Sequence, residues 1–101
     1  MPELPLSQRA KVIATITNRL GLHARPAMAF VDTATSFSSS ITVSREDGTD
    51  GGPVDGKSIM EMMMLAATRG TKLVIDATGD DADAACAALK SLVDSGFGEG
   101  H

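Results

Sequence analysis

The chain has 101 residues, the length of a single domain, and 43% of them are hydrophobic but only 3% aromatic. Its formal net charge is −4, and this acidity with so few stacking rings disfavours binding to nucleic acid or to an anionic membrane surface. No apolar run is long enough to span a bilayer, and the N-terminal sequence has no signal-peptide pattern. The lone cysteine, Cys86, cannot form an internal disulfide, so we expect a cytoplasmic protein with a buried, inert thiol.

The chain begins with a segment that contains two prolines and no sustained periodicity, and we predict a flexible extension over residues 1–10. Apolar residues then recur at every second position over 11–17, which predicts the first strand. Residues 18–21 supply turn chemistry. Apolar residues recur at helical spacing from Ala24, and this predicts a first helix that ends near residue 35.

His23 lies at the junction of this strand and this helix, at or next to the helix N-cap. Pro26 fits the first helical turn because it has no N–H group to leave unpaired. Free backbone N–H groups and the positive end of the helix dipole favour an anion at this place, and Arg25 adds a guanidinium. The pattern predicts a histidine that carries a phosphoryl group. The alternative is a surface histidine that merely caps the helix.

The middle of the chain predicts two further strands. Alternation over 38–44 indicates the second strand, and a polar, turn-rich connection follows at 46–52. A short third strand includes Val54. This strand should lie at an edge of the sheet, because the neighbouring Pro53 cannot donate a hydrogen bond to a ladder.

A second helix follows, with Ser58 as its predicted N-cap and Glu61 at the spacing of a capping box. Gly70 is the predicted glycine after its C-terminus. Consecutive helical residues point about 100° apart, so the methionines of this helix cannot all be buried. The predicted buried face consists of Ile59, Met62 or Met63, and Ala66. The predicted exposed residues are Met60 and either Met63 or Met64, as part of a structural stripe or of an adaptable docking surface.

The last part of the chain predicts one more strand and helix. The fourth strand is predicted at 72–78. Asp80 or Asp81 should cap a third helix that runs to about residue 94 and is closed by Gly96. The resulting order, βαββαβα, indicates an α+β fold with an antiparallel sheet and helices on one face.

Two motifs are similar to those of the HPr phosphocarrier family of the bacterial phosphotransferase system. Gly-Leu-His-Ala-Arg-Pro-Ala at 21–27 resembles the active-site signature of that family, and Lys-Ser-Ile-Met at 57–60 matches the start of its second helix. Ala-Thr-Gly at 77–79 and Asp-Ser-Gly-Phe at 94–97 resemble the nitrogen-related branch of the family, NPr.

The resemblance covers residues 11–97, which we predict to be one domain, followed by a disordered tail at 98–101. It implies a two-layer open-faced sandwich in which four antiparallel strands have the order 1-4-2-3 and three helices cover one face. It also implies a phosphohistidine carrier in a phosphotransfer chain rather than a stand-alone enzyme. Because phosphoryl transfer is mainly positioning and electrostatics, we expect no cofactor and no metal ion, and we expect a monomer.

By this resemblance His23 accepts a phosphoryl group on Nδ1 from an enzyme I of the sugar or the nitrogen type and passes it to an enzyme IIA-type acceptor. Arg25 compensates charge, and the backbone N–H groups of Ala24 and Arg25 cradle the phosphate. The docking residues that the resemblance implies are Leu22, Met28, Ile59, Met60 and Met63. Ser58 matches a regulatory site that an HPr kinase/phosphorylase modifies in some relatives, and the alternative is that Ser58 is only an N-cap.

Two other functions stay open at this point. One is a nitrogen-related regulatory phosphorelay protein that is not coupled to sugar uptake, which the 94–97 motif favours and the 57–60 motif does not. The other is a small-molecule-binding sandwich without phosphotransfer. That function would need an internal pocket with several convergent polar groups, and the sequence offers no such set.

Overall fold

A computed structural model describes residues 8–48 and 52–98 of the chain. The elements in chain order are β1 (Arg9–Thr15), α1 (Ala24–Thr35), β2 (Ser40–Arg45), β3 (Val54–Asp55), α2 (Ile59–Met64), β4 (Lys72–Thr78) and α3 (Ala82–Asp94), with a 3-10 turn at Gly96–Gly98. The predicted order of elements is confirmed. Strand β1 begins at Arg9, inside the predicted N-terminal extension. The rest of that extension, at 1–7, and most of the predicted tail, at 99–101, lie outside the described residues.

The four strands form one antiparallel sheet in the order β1-β4-β2-β3, which confirms the implied topology and the edge position of β3. Side chains alternate between the two faces of the sheet. The buried face carries Ala14, Ile41, Val43, Leu73, Ile75 and Ala77. Helix α3 packs on β1 and β4, and α1 packs against both α2 and α3. The helices therefore cover one face, and the other carries mostly polar side chains.

The core between sheet and helices is aliphatic, as the composition predicts, with Phe30 completely buried within it. Helix α3 contributes Ala82, Ala85, Cys86, Leu89 and Val93 to this core. Burial raises the pKa of the Cys86 thiol. The expectation of a buried thiol is therefore confirmed, and a protonated thiol is a poor nucleophile.

Helix α2 is shorter than predicted, because it ends at Met64 rather than just before Gly70. The chain leaves the helix at Ala66, whose φ of +50° is a left-handed conformation. Gly70 lies in the turn that leads into β4, where its N–H donates to the carbonyl of Ile16 at 2.8 Å. The prediction that Gly70 terminates this helix is therefore wrong, and Ala66 is exposed instead of buried.

We expect Ala66→Gly to raise the free energy of unfolding by about 0.5–1 kcal/mol, because glycine adopts a positive φ without the steric cost that a Cβ imposes. Ala84→Gly is the matched control, since Ala84 is exposed within α3 and glycine there should destabilise by a similar amount. Urea unfolding of the two variants measures both changes. If Ala66→Gly destabilises the protein as Ala84→Gly does, the conformation at Ala66 costs nothing.

Asp81 occupies the position before α3, but its side chain makes no cap hydrogen bond to that helix. Its carboxylate instead accepts hydrogen bonds from the Ser39 hydroxyl and from the backbone N–H groups of Ser38 and Ser39, the latter two at 2.8 and 2.9 Å. Asp81, one of the two predicted alternatives, is therefore the N-cap residue by position, but its side chain does not cap the helix. These bonds also explain why β2 begins at Ser40 rather than at residue 38.

The bonds from the Ser39 hydroxyl and the Ser38 N–H lower the pKa of Asp81 from 3.8 to about 2. A lowered pKa in the folded state stabilises the protein above the ordinary pKa, and that stabilisation is lost as the pH falls towards 2. We expect Asp81→Asn to be less stable than the wild type at pH 6 and to approach it between pH 4 and pH 2, as urea unfolding over this range would record. Asp83→Asn, at an exposed acid in the first turn of α3, is the control. Parallel curves for wild type and Asp81→Asn would contradict the prediction.

Candidate functional site

His23 is the N-cap residue of α1, with extended backbone angles (φ −89°, ψ −169°) and a partly exposed side chain. Its carbonyl accepts the N–H of Ala27 at 3.0 Å, which is the first hydrogen bond of the helix. Its side chain makes no cap hydrogen bond. The imidazole therefore stands at the start of the helix without being used to cap it.

The first turn of α1 offers two backbone donors next to this histidine. Ala27 donates to the carbonyl of His23, and Pro26 is buried and has no N–H. The N–H groups of Ala24 and Arg25 are the ones that have no acceptor within the helix. No acidic residue lies in this turn, and the Arg25 side chain is exposed. The helix start can therefore hold an anion through two amides, the helix dipole and one guanidinium.

The loop before His23 is fixed by hydrogen bonds to a distant segment. The N–H of Leu22 donates to the carbonyl of Ala67 at 2.9 Å. The side-chain amide of the buried Asn18 donates to the carbonyl of Gly21 at 2.7 Å. Gly21 has a φ of +72°, and a Cβ on it would lie 2.5 Å from the Ala67 carbonyl oxygen. A glycine is therefore required here, and the roles of Asn18 and Ala67 are ones that the sequence analysis did not predict.

Most of the predicted docking residues are exposed on α1 and α2, namely Met28, Ile59, Met60 and Met63. Leu22 is the exception: it is only 5% exposed, because its side chain joins the core while its backbone binds the Ala67 carbonyl. Leu20 and Met64, each 70% exposed, are large apolar residues that the sequence analysis did not assign to docking.

The methionine pattern of α2 is confirmed in part. Met62 is completely buried and Met60 is exposed, as predicted. Both Met63 and Met64 are exposed, rather than one of them, because the helix stops at Met64 and makes no further turn against the core. Ile59 is also exposed, so its predicted place on the buried face is wrong.

Ser58 is the N-cap of α2, as predicted, and its hydroxyl accepts the N–H of Glu61 at 3.2 Å. The reciprocal half of the capping box is absent. The Glu61 carboxylate accepts the N–H of Asp55 at 2.9 Å instead, and the N–H of Ser58 donates to the carbonyl of Asp55. Two carboxylate side chains thus share this turn with Ser58, and like charge disfavours a phosphate added beside them.

Within 8–48 and 52–98, no three or more His, Cys, Asp or Glu side chains are grouped so that they could hold a metal ion. Among the helices of these ranges, none is both long and apolar enough to cross a membrane.

Comparison with known proteins gives concordant matches. The sequence model of the family described as "PTS HPr component phosphorylation site" matches residues 10–95. The phosphocarrier protein HPr of Neisseria meningitidis serogroup A is 45% identical over 86 residues, which covers 85% of this chain and 92% of that one. The phosphocarrier protein NPr of Escherichia coli K12 is 34% identical over 89 residues, or 88% of this chain and 96% of that one. The crystal structure of HPr-C-His from Thermoanaerobacter tengcongensis superimposes with a TM-score of 0.81 at 43% identity, covering 91% of this chain and 99% of that one.

Proposed function

This chain belongs to the HPr family of phosphocarrier proteins of the phosphotransferase system, and we propose that His23 is the residue that carries the phosphoryl group. The observation that carries the proposal is the position of this imidazole at the N-cap of α1, next to the free N–H groups of Ala24 and Arg25. The protein passes phosphoryl groups between an enzyme I-type donor and an enzyme IIA-type acceptor. The identity of each partner is part of the proposal.

The transfer is an exchange of one phosphorus–nitrogen bond for another. The Nδ1 atom of His23 attacks the phosphorus of the donor's phosphohistidine, the new bond forms, and the donor imidazole leaves with the electron pair of the old bond. The N–H groups of Ala24 and Arg25 then hydrogen-bond the phosphoryl oxygens, and the Arg25 guanidinium offsets their charge. In a second exchange, a histidine of the acceptor attacks the phosphorus on His23, and the His23 imidazole leaves with the electron pair of the bond that breaks. Neither exchange uses a water molecule or a cofactor as a reactant.

The docking patch that we propose consists of Met28, Ile59, Met60 and Met63, which are exposed on the two packed helices α1 and α2. Methionine side chains can re-pack against different partners, and a carrier has to present one patch to both a donor and an acceptor. Contacts of this kind should be small and transient. We further propose that the protein acts as a cytoplasmic monomer.

Ser58 fits an N-cap role better than a regulatory one. Its hydroxyl oxygen already accepts the N–H of Glu61, and the side chains of Glu61 and Asp55 add negative charge to the same turn. We therefore propose that Ser58 stabilises α2 in this chain and that a kinase/phosphorylase partner is not required for its function.

Incubation with phosphoenolpyruvate and purified enzyme I, from the sugar pathway or from the nitrogen pathway in parallel, tests the function. We expect an acid-labile, alkali-stable phosphoryl group on the protein, formed faster with the sugar-pathway donor. Faster labelling by the nitrogen-pathway donor would favour the regulatory alternative. No labelling by either donor, or a label that survives acid as a serine ester does, would overturn the proposal.

A further inference from the structure

Arg45, the last residue of β2, has a side chain that is only 19% exposed and is held at several points. Its Nη1 atom donates to the carbonyl oxygens of Leu65 and Ala66, each at 3.2 Å. Its Nε and Nη2 atoms donate to the two carboxylate oxygens of Asp47, at 3.2 and 3.1 Å. Four hydrogen bonds thus fix the guanidinium between the end of β2 and the end of α2.

The carbonyls that Arg45 binds belong to the C-terminal end of α2. The last carbonyls of a helix have no partner within the helix, and a cation beside them also matches the negative end of its dipole. Arg45 holds them where Ala66 turns the chain out of the helix with its positive φ. The guanidinium therefore sets the direction in which the chain leaves α2.

The next residue of this segment contacts the loop before His23. The carbonyl of Ala67 accepts the N–H of Leu22 at 2.9 Å, and Gly21 approaches the same carbonyl too closely for any side chain. Segment 65–67 thus accepts hydrogen bonds from Arg45 through its first two carbonyls. Its third carbonyl binds the loop before His23. It also ends the helix that carries Met60 and Met63 of the proposed docking patch.

We infer that Arg45 is a positioning residue for phosphoryl transfer: by fixing the carbonyls that end α2, it places the Ala67 carbonyl that orients the peptide before His23. This inference rests on the proposed function of His23. Arg45 acts through Ala67 and Leu22, whose hydrogen bond joins the end of α2 to the loop before His23. A planar guanidinium can bind two carbonyls and a carboxylate at once, which a lysine ammonium on a flexible stem does not reproduce.

The test compares Arg45→Met with Arg9→Met. Both variants lose one positive charge and a two-point ion pair with a single aspartate, but the Arg9 pair with Asp76 lies on β1 and β4, away from α2. We expect Arg45→Met to lower the phosphoryl-transfer rate per folded molecule, at saturating donor, by about tenfold, because small displacements of a reacting group are costly. We also expect faster hydrogen exchange at the Leu22 amide. Arg9→Met should change neither quantity, and Arg45→Lys should restore neither fully.

The inference is overturned if Arg45→Met transfers the phosphoryl group at the wild-type rate and its Leu22 amide also exchanges at the wild-type rate. An equal loss of rate in Arg9→Met would overturn it too, because the effect would then be one of charge or general stability. Should Arg45→Met not fold, Asp47→Asn decides the question, since Asp47 is half-exposed and orients the guanidinium. It should give smaller changes in the same direction, and no change would count against the inference. A wild-type protein that takes up no phosphoryl group would overturn the proposed function instead, while the Leu22 exchange would still report whether Arg45 positions the loop.

Discussion

The His23→Ala variant is expected to take up no phosphoryl group from phosphorylated enzyme I, whereas the wild-type chain is labelled completely. The reason is chemical, because alanine has no nitrogen that can attack the donor's phosphorus. The fold should survive the change, since the His23 side chain makes no cap hydrogen bond to α1 and its backbone carbonyl, which Ala27 needs, is retained. Labelling with radioactive phosphoenolpyruvate measures the loss, and circular dichroism verifies the fold.

The sequence provides a control for this experiment. His101 is the second of the two histidines in the chain, so His101→Ala removes the same side chain from a position that the account does not use. Its labelling should equal that of the wild type. If His23→Ala is labelled as well as His101→Ala, another residue is the acceptor and the assignment of His23 is wrong.

Gly21→Ala is expected to lower the free energy of unfolding by about 2–4 kcal/mol, the sum of a left-handed alanine and a steric clash. Gly21 has a φ of +72°, and its Cβ would meet the Ala67 carbonyl oxygen at 2.5 Å and the Thr68 Cα at 2.9 Å. Both contacts are backbone atoms, which cannot rotate away as a side chain can. The bond from the Leu22 N–H to that same carbonyl should weaken as well, so we expect slower phosphoryl transfer at temperatures where the variant is still folded.

Gly48→Ala is the control that separates the cost of a left-handed alanine from the cost of the steric clash. Gly48 has the same φ of +72°, but a Cβ there would meet no atom within 4 Å. It should therefore lose only the net backbone contribution, about 0.5–1 kcal/mol, and its transfer rate should be unchanged. Urea unfolding and single-turnover transfer assays measure both variants side by side. Equal destabilisation by the two substitutions would show that the close approach of Gly21 to Ala67 does not exist in solution.

The parts of the fold that the sequence predicts well are those whose signal is local. Strand β4 follows from apolar residues at every second position and helix α3 from a clean helical period, and both have the predicted extent. The end of α2 could not be predicted in this way. Leu65, Ala66 and Ala67 all favour helix, but the carbonyls there are bound by Arg45 and the N–H of Leu22, from β2 and from the loop before α1.

At the site, too, the local features were predictable from the sequence and the long-range contacts were not. His23, Ala24 and Arg25 lie in one short motif, and the N-cap position of His23 follows from Pro26 and the periodicity after it. The hydrogen bond that fixes the Leu22 backbone was not predictable, because its acceptor is a carbonyl more than forty residues away in the chain. Asp81 is the comparable case in the fold: nothing near it in sequence indicates that the N–H groups of Ser38 and Ser39 would compete for its carboxylate.

Mass-spectrometric mapping of the labelled wild-type protein under alkaline conditions identifies the residue that accepts the phosphoryl group. We predict that the added phosphoryl mass lies on the imidazole of His23, at the start of α1, and on no other residue. A phosphoryl group found on Ser58, or anywhere else while His23 stays unmodified, would contradict it.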